Sequence, residues 1–360
     1  MRRSFAVLAA ALLVFAGCGD NTSGSSSDSE GEATSTPAAT QEAAQLPEKF
    51  SAGVKIALVR QLASGDYFQQ WLLGAQEQAK ALNVDLRISD ARNNNDQQAT
   101  DLQRAIDQKP DAIIVDHGLA ATVNPLIDKA VEAGIPVVAF DVETENPEVV
   151  SIQQSDEDAG KRLGEELVKG IGGSGDVAYT YVAGFAPLDR RNRGWEEVKK
   201  ANSGIKQVAK FGKVSDSTAN DTQEQANAVI TANPDLKAVL APYDEFAKGV
   251  VNALEQANKT DVKVYGGDIS TPDIGVMTKE GSPWVATIAT DPANVGRVAV
   301  RAAALKLNGD AIDREVLIPQ TIITQDFLKE NSIKTLEDLR AKLPDLNTQD
   351  TATADWIPKS

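Results

Sequence analysis

Three charged side chains follow apolar runs of the chain, where they could bind a polar ligand. Asp141 ends the run IPVVAFD, Asp268 ends VKVYGGD, and Arg191 lies at the start of the helical stretch after DVAYTYV. Carboxylates accept hydrogen bonds and a guanidinium donates several, so together they can hold adjacent hydroxyl groups of a small molecule. The alternative is that the two aspartates only cap turns.

The segments around these residues alternate between short β-branched runs and longer amphipathic stretches. The first set contains four predicted strands, at 54–60, 84–89, 111–116 and 135–140. A second set of similar size follows, from the helix that begins at Ser155 to the strand that ends at Ala289. This alternation predicts an α/β fold of two similar lobes, each a parallel sheet flanked by helices. In such sheets ligands bind beyond the carboxyl ends of the strands, where the three charged residues lie.

The composition argues against several kinds of chemistry. The 360 residues include 36 Lys and Arg against 52 Asp and Glu, and the resulting net charge of −16 argues against nucleic-acid binding. One Cys and one His leave no disulfide framework, no Cys/His zinc site and little material for a His-based triad. The glycine-rich segment 170–175 follows a predicted helix and precedes a strand, so it predicts a turn and not a nucleotide loop. We therefore expect no catalytic residue, no metal and no cofactor.

The N-terminus has the features of an export signal. Residues 1–17 carry two arginines and an apolar run that is too short to span a bilayer. The run leads into Phe15-Ala16-Gly17-Cys18, which resembles a bacterial lipobox and contains the only cysteine of the chain. Residues 18–52 are rich in Ser, Thr, Gly, Ala and Glu, a composition that predicts a flexible tether. We expect an exported protein, lipidated at Cys18 and anchored to the outer face of the cell membrane or in the periplasm.

Segments that cover about residues 54–324 resemble the type I periplasmic sugar-binding proteins of ABC transporters, the ribose and galactose receptors. In chain order they are IALVRQLASGDYFQQWLLGAQEQAKAL (56–82), IPVVAFD (135–141), RRNRGWEEV (190–198), NPDLKAVLAPYDEFAKGVVNAL (233–254), VYGGDISTPD (264–273) and TIATDPANVGRVAV (287–300). The resemblance implies two lobes joined by three hinge crossovers, with a sugar bound in the cleft between them.

The resemblance also implies which residues bind the ligand. In that family aromatic side chains after the first strand stack on the sugar ring, and Tyr67 and Phe68 stand there in this chain. The predicted ligand-binding set is Gln61, Tyr67, Phe68, Asp141, Arg191, Tyr243, Asp268 and Thr290. In this interpretation the ligand bridges Asp141 of one lobe to Arg191 and Asp268 of the other, and so favours the closed form.

The chain differs from ribose receptors at several of these positions. Val142 stands where they have Arg, Gly65 and Tyr243 stand where they have Asn, and Thr290 stands where they have Gln. The aromatic residue expected near 216–218 is missing. These losses of amide and guanidinium donors argue against ribose itself and favour another pentose, a hexose or a polyol. A nucleoside or a signalling furanose stays open.

The resemblance sets the expected domain boundaries. They are a signal peptide at 1–17, a lipidated tether at 18–52, a first lobe at 53–153 with 291–318, a second lobe at 156–289 with 325–345, and a tail at 346–360. The crossovers are expected near 153–155, 289–291 and 319–324. The single histidine, His117, follows the strand DAIIVD and could reach the edge of the cleft, but it is interpreted as a hydrogen-bonded surface residue. Trp71 either stacks on the ligand or packs its helix.

The expected function is the capture of a small carbohydrate by a monomer and its delivery to an ABC permease. The same cleft could instead serve a chemoreceptor or a histidine kinase, and a neighbouring permease or kinase gene would distinguish the two. The signal peptide, and the lack of a DNA-binding helix–turn–helix before Val54, oppose a repressor of the lactose-repressor type. A glycosidase would need a carboxylic acid with a raised pKa, which nothing in the sequence marks.

Overall fold

The computed structural model describes residues 45–359, which alternate between strands and helices as the sequence predicts. The strands are β1 (Val54–Arg60), β2 (Val84–Asp90), β3 (Ala112–Asp116), β4 (Val137–Phe140), β5 (Val150–Gln154), β6 (Gly175–Thr180), β7 (Ile205–Phe211), β8 (Leu236–Ala241), β9 (Lys263–Gly267), β10 (Trp284–Ala289), β11 (Glu315–Ile318) and β12 (Thr321–Thr324). The helices are α1 (Glu48–Ser51), α2 (Asp66–Ala81), α3 (Asn95–Asp107), α4 (Ala120–Glu132), α5 (Asp156–Gly170), α6 (Ala186–Ala201), α7 (Thr218–Ala232), α8 (Asp244–Gln256), α9 (Thr271–Thr278), α10 (Pro292–Asn308), α11 (Gln325–Glu330) and α12 (Leu336–Lys342).

The strands form two six-stranded sheets. The first has the order β11-β5-β4-β3-β1-β2 and is parallel throughout. The second has the order β12-β10-β9-β8-β6-β7 and is parallel except for β12, which runs antiparallel to β10. Every residue of β3 and β4 is buried, as expected for strands covered on both faces. We call each sheet with its packed helices a lobe. The two lobes of mostly parallel strands confirm the predicted α/β fold class.

The chain passes between the two sheets three times within the described residues. It does so after β5, after β10, and between β11 and β12. The third predicted crossover, 319–324, is too long, because Thr321–Thr324 already pair with β10 as strand β12. The passage itself is therefore Pro319–Gln320, and this short link limits how far the lobes can separate there.

Helix α10 returns to the first lobe and packs against α2 with the two backbones almost in contact. A Cβ atom on Gly74 of α2 would lie 1.9 Å from the carbonyl oxygen of Ala293, and one on Gly296 of α10 would lie 2.0 Å from that of Trp71. Glycine at these two positions therefore lets the helices approach. Trp71 is fully buried at this contact and stacks on Phe140 with ring centroids 5.5 Å apart, so it packs the core.

Both ends of the described chain lie on the first lobe. The predicted tether of 18–52 extends too far, because Phe50 of α1 is fully buried in the core of the body. Trp356, near the other end, packs its ring 5.1 Å from that of Phe50. The backbone oxygen of Thr348 accepts a hydrogen bond from Arg301 of α10. The predicted tail is therefore part of the folded body from its first residues onward.

The signal peptide and Cys18 lie outside the described residues. Among the helices that the structure does describe, none combines the length and the apolar character needed to cross a bilayer.

Candidate functional site

A small cavity lies between the two lobes at the carboxyl ends of their strands. Its polar wall consists of His117 and Gln154 from the first lobe and Arg191 and Asp268 from the second. The remaining lining side chains are aromatic or aliphatic: Leu62, Tyr67, Phe68, Phe185, Pro187, Leu188, Val214 and Tyr243. The space open to the centres of water-sized molecules is about 40 Å³.

Five of the eight predicted ligand-binding residues line this cavity: Tyr67, Phe68, Arg191, Tyr243 and Asp268. Tyr67 and Phe68 begin helix α2 directly after the loop that follows β1, and their rings meet edge to face at 5.4 Å. The hydroxyl of Tyr67 is buried without a hydrogen-bond partner. Burial raises the pKa of this phenol well above its ordinary value, so the Tyr67 hydroxyl keeps its proton and can donate a hydrogen bond to a ligand.

Arg191 is held in place by the close packing of α5 against α6. A Cβ atom on Gly160 of α5 would lie 2.0 Å from the carbonyl oxygen of Arg191, so only glycine permits this approach. The Arg191 guanidinium then donates to Asp156 at 2.9 Å and to the backbone oxygen of Pro242 at 2.7 Å, and contacts Asp268 at 3.3 Å. Sequence reasoning placed Arg191 at the start of its helix, but α6 begins at Ala186, because Pro187 suits the first turn. Arg191 therefore lies in the second turn.

Asp141 is not among the residues that line this cavity, and its role in ligand binding stays a prediction. Its carboxylate binds the guanidinium of Arg190, which reaches across from the second lobe and also contacts Asp156 at 2.8 Å and Glu143 at 2.8 Å. Burial raises the pKa of Asp141 to about 6, and the neighbouring Asp156 charge adds to this, while Arg190 opposes it. The sequence analysis did not consider Arg190, because its partner lies 49 residues away and in the other lobe.

Gln61 and Thr290 also lie behind the cavity wall and not on it. The Gln61 amide donates to Asn95 at 2.9 Å. The Thr290 hydroxyl donates to the side-chain oxygen of Gln154 at 2.8 Å. Gln154, at the end of β5, is therefore the residue that reaches the cavity next to the hinge. The sequence analysis predicted no strand at 150–154 and therefore overlooked Gln154 as a candidate.

His117 is buried in the cavity wall, so its interpretation as a surface residue is wrong. It directly follows β3, is 5% exposed, and its ring lies edge-on to Phe68 and Phe140 at 5.1 and 5.2 Å. Its Nδ1 lies 2.7 Å from a carboxylate oxygen of Asp116. The other oxygen of Asp116 accepts from Arg60 at 2.8 Å. The signal was available, because His117 follows a strand at the edge where the ligand site was expected.

The residues from 56 to 311 match the family model described as the periplasmic binding protein domain. This chain belongs to the periplasmic binding protein family. The match covers most of both lobes and confirms the resemblance found in the sequence. The family consists of binding proteins and not of enzymes, in agreement with the expectation that the chain has no catalytic role.

Several periplasmic binding proteins are similar to this one over nearly their full length. A 5-methylthioribose transporter solute-binding protein of Thermotoga lettingae, solved with 5-methylthioribose, is 41% identical, with a TM-score of 0.83 over 84% of this chain and 97% of that one. The ribose import binding protein of Escherichia coli K12 is 28% identical over 275 residues, 75% of this chain and 90% of that protein. An ABC transporter solute-binding protein of Agrobacterium vitis with bound allitol is 27% identical, with a TM-score of 0.73 over 78% of this chain and 98% of that one.

Proposed function

We propose that this periplasmic binding protein captures a small carbohydrate between its lobes and delivers it to an ABC permease. The observation that carries the proposal is the buried pair of Arg191 and Asp268 on the cavity wall, which offers donors and acceptors to neighbouring hydroxyl groups. The relatives named for ribose and for 5-methylthioribose, and the one solved with allitol, support a polyhydroxyl ligand.

The preferred ligand is a pentose that carries an apolar substituent. Apart from its polar wall, the cavity presents mainly apolar side chains, including Leu62, Phe185 and Val214, which offer no hydrogen bonds to hydroxyl groups. An unsubstituted pentose, hexose or polyol would leave several hydroxyls unpaired against them, at a cost in binding free energy. 5-Methylthioribose has the required combination of hydroxyls and a thioether, and the relative solved with it is 41% identical.

Closure of the lobes accompanies binding in this proposal. The second lobe already contacts the first through Arg190 on Asp141 and through Val214, whose backbone oxygen accepts from Asn93 at 2.7 Å. A ligand that touches Gln154 on one side and Asp268 on the other adds contacts that exist only in the closed form. It therefore shifts the equilibrium toward closure, which a permease can distinguish from the open form.

The proposal includes the cell-surface location. We infer export through the signal at 1–17 and lipid attachment at Cys18, with the protein acting as a monomer. The lipobox-like sequence and the single cysteine support this part of the proposal.

The test is a titration calorimetry series with 5-methylthioribose, D-ribose, xylitol, D-glucose and adenosine. We expect the tightest binding for 5-methylthioribose. Asp268→Asn, which removes the charge but suits the positive φ of 65° at this position, should weaken binding about 10- to 100-fold. Asp313→Asn on the exposed surface is the matched control and should bind like the wild type. Binding of adenosine alone, or of none of these compounds, would reject the proposed ligand class.

A further inference from the structure

A continuous row of charged side chains runs through the buried interface between the lobes. We call it the charge row, and in order of contact its members are Arg60, Asp116, His117, Asp141, Arg190, Asp156, Arg191 and Asp268. The first four belong to the first lobe and the last four to the second. None of these side chains is more than 7% exposed, so solvent screens them little.

The charge row lacks one positive charge if its histidine is neutral. It contains three arginines against four aspartates. A fifth carboxylate, Glu143, also binds Arg190, but it is 58% exposed and solvent screens it. A buried net charge is costly, whereas a row of balanced, alternating charges is tolerated. One additional proton on the row would restore neutrality.

The geometry around His117 favours the imidazole as the place for that proton. Both ring nitrogens face carboxylate oxygens: Nδ1 lies 2.7 Å from Asp116, and Nε2 lies 3.8 Å from Asp141. A neutral imidazole has a proton on only one nitrogen, so it would turn a lone pair toward one of the two carboxylates. An imidazolium presents an N–H to each of them.

The charged groups around the imidazole come from several elements. Asp116 at the end of β3 and Asp141 after β4 are the nearest carboxylates, and Asp268 after β9 adds a more distant one. Arg190 from α6 opposes the positive charge, and Arg60 of β1 acts through Asp116. Burial by itself lowers the pKa of His117, but the hydrogen bond and charge of Asp116, followed by the charge of Asp141, raise it above its ordinary value. Toward α2 the imidazole meets the uncharged ring of Phe68.

We propose that His117 is held as an imidazolium between Asp116 and Asp141, and that its Nε2–H donates a hydrogen bond to an oxygen atom of the bound ligand. The distance of 3.8 Å from Nε2 to Asp141 is too long for a hydrogen bond, and His117 lines the cavity, so this N–H is available to a ligand. The charge on His117 follows from the fold alone, whereas its donation to a ligand rests on the proposed function.

This assignment makes His117 a determinant of specificity. A cationic donor cannot accept a hydrogen bond, so the ligand atom in front of Nε2 must be an acceptor, such as a hydroxyl or ring oxygen. It also couples binding to pH. Loss of the proton removes the donor and unbalances the charge row, so affinity falls as the pH rises through the pKa of His117. The competing arrangement places the additional proton on Asp141 and leaves the imidazole neutral.

The charge on His117 can be measured directly, because it is the only histidine of the chain. We would record the ¹⁵N resonances of the imidazole in the ligand-free, untagged wild-type protein from pH 5.5 to 9. We expect both nitrogens to be protonated at neutral pH, with a midpoint above the ordinary value for a free histidine. Asp116→Asn should lower this midpoint. A neutral imidazole at pH 7 in the wild type would overturn the charge assignment.

The donation to a ligand is tested by calorimetry with 5-methylthioribose at several pH values across the measured midpoint. We expect wild-type affinity to fall about tenfold or more as the imidazolium loses its proton, and His117→Asn to bind about tenfold more weakly below the midpoint and without the pH dependence. Asparagine tolerates the positive φ of 59° at this position. Equal affinity of His117→Asn and wild type would reject the donation. If the wild type binds no probe, the proposed function fails, while the resonances of the imidazole still decide its charge.

Discussion

Lys248 is the single amine inside a group of four carboxylates, and Lys248→Met should destabilise the protein in a pH-dependent way. Its Nζ lies 2.6 Å from Glu245, 2.7 Å from Asp66, 3.6 Å from Asp273 and 3.9 Å from Asp244. Asp66 belongs to the first lobe and the other three to the second. Removal of the amine therefore leaves like charges facing each other across the interface between the lobes.

The size of the effect follows from the burial of Asp244 and Asp273, whose side chains are fully buried. Removal of one partner from a buried ion pair costs about 3–5 kcal/mol, because an uncompensated charge remains. Burial already raises the pKa of Asp273 to about 6 and that of Asp244 well above its ordinary value, and Lys248 opposes both shifts. A carboxyl with a raised pKa in the folded state binds more protons there, so stability falls as the pH rises from about 4 through that pKa.

The variant lacks the opposing amine, so the two buried carboxyl groups ionise at still higher pH. The folded protein therefore loses stability over a wider pH range. We therefore expect the stability difference from wild type to be smaller at pH 4.5 than at pH 8, where it should be about 3–5 kcal/mol. The measurement is guanidinium unfolding at the two pH values. Lys279→Met is the control, because Lys279 is 58% exposed and its pair with Glu255 contributes at most about 1 kcal/mol. A Lys248→Met cost equal to that of the control, or equal at both pH values, would refute the reasoning.

Two further predictions concern packing and attachment. Gly74→Ala should lower the free energy of unfolding by about 1–3 kcal/mol, measured with guanidinium, because its Cβ would lie 1.9 Å from the backbone oxygen of Ala293. The control Gly275→Ala, whose Cβ meets no atom within 4 Å, should be neutral or stabilising. Equal stability of the two variants would contradict the close contact of α2 and α10. Cys18→Ala should move the protein from the membrane fraction to the soluble fraction of cells that produce it, and incorporation of labelled fatty acid into this variant would show that the anchor lies elsewhere.

Local sequence patterns predicted most of the fold. The apolar run 54–60 coincides with β1, and the run 284–289 coincides with β10. These strands are marked by a short-range pattern of apolar residues, and the rule that ligands bind beyond strand ends then located Arg191 and Asp268 at the cavity. The family resemblance supplied what periodicity could not, namely the order in which the chain visits the two lobes.

The features that the sequence did not predict depend on contacts between distant parts of the chain. Nothing near Asp141 in the sequence shows that Arg190 of the other lobe reaches it. His117 was assigned to the surface because its burial depends on rings from α2 and β4. The burial of Phe50 likewise requires Trp356, which lies about three hundred residues later in the chain. Side-chain contacts between the two lobes leave no pattern in the sequence around either residue.

The contact between Phe50 and Trp356 determines which lobe can rotate when the protein is attached to a support through one end of its chain. The chain enters and leaves the described structure on the first lobe, so a support joined to either end restrains that lobe. The second lobe is then the free arm, connected through the three passages between the sheets and through the segment that returns from β12 to the first lobe. Dyes for a distance measurement of closure should therefore be placed one on each lobe, since a pair near Phe50 and Trp356 would report no change. When the protein is attached to a surface through one end, the first lobe stays fixed and the second lobe rotates during closure.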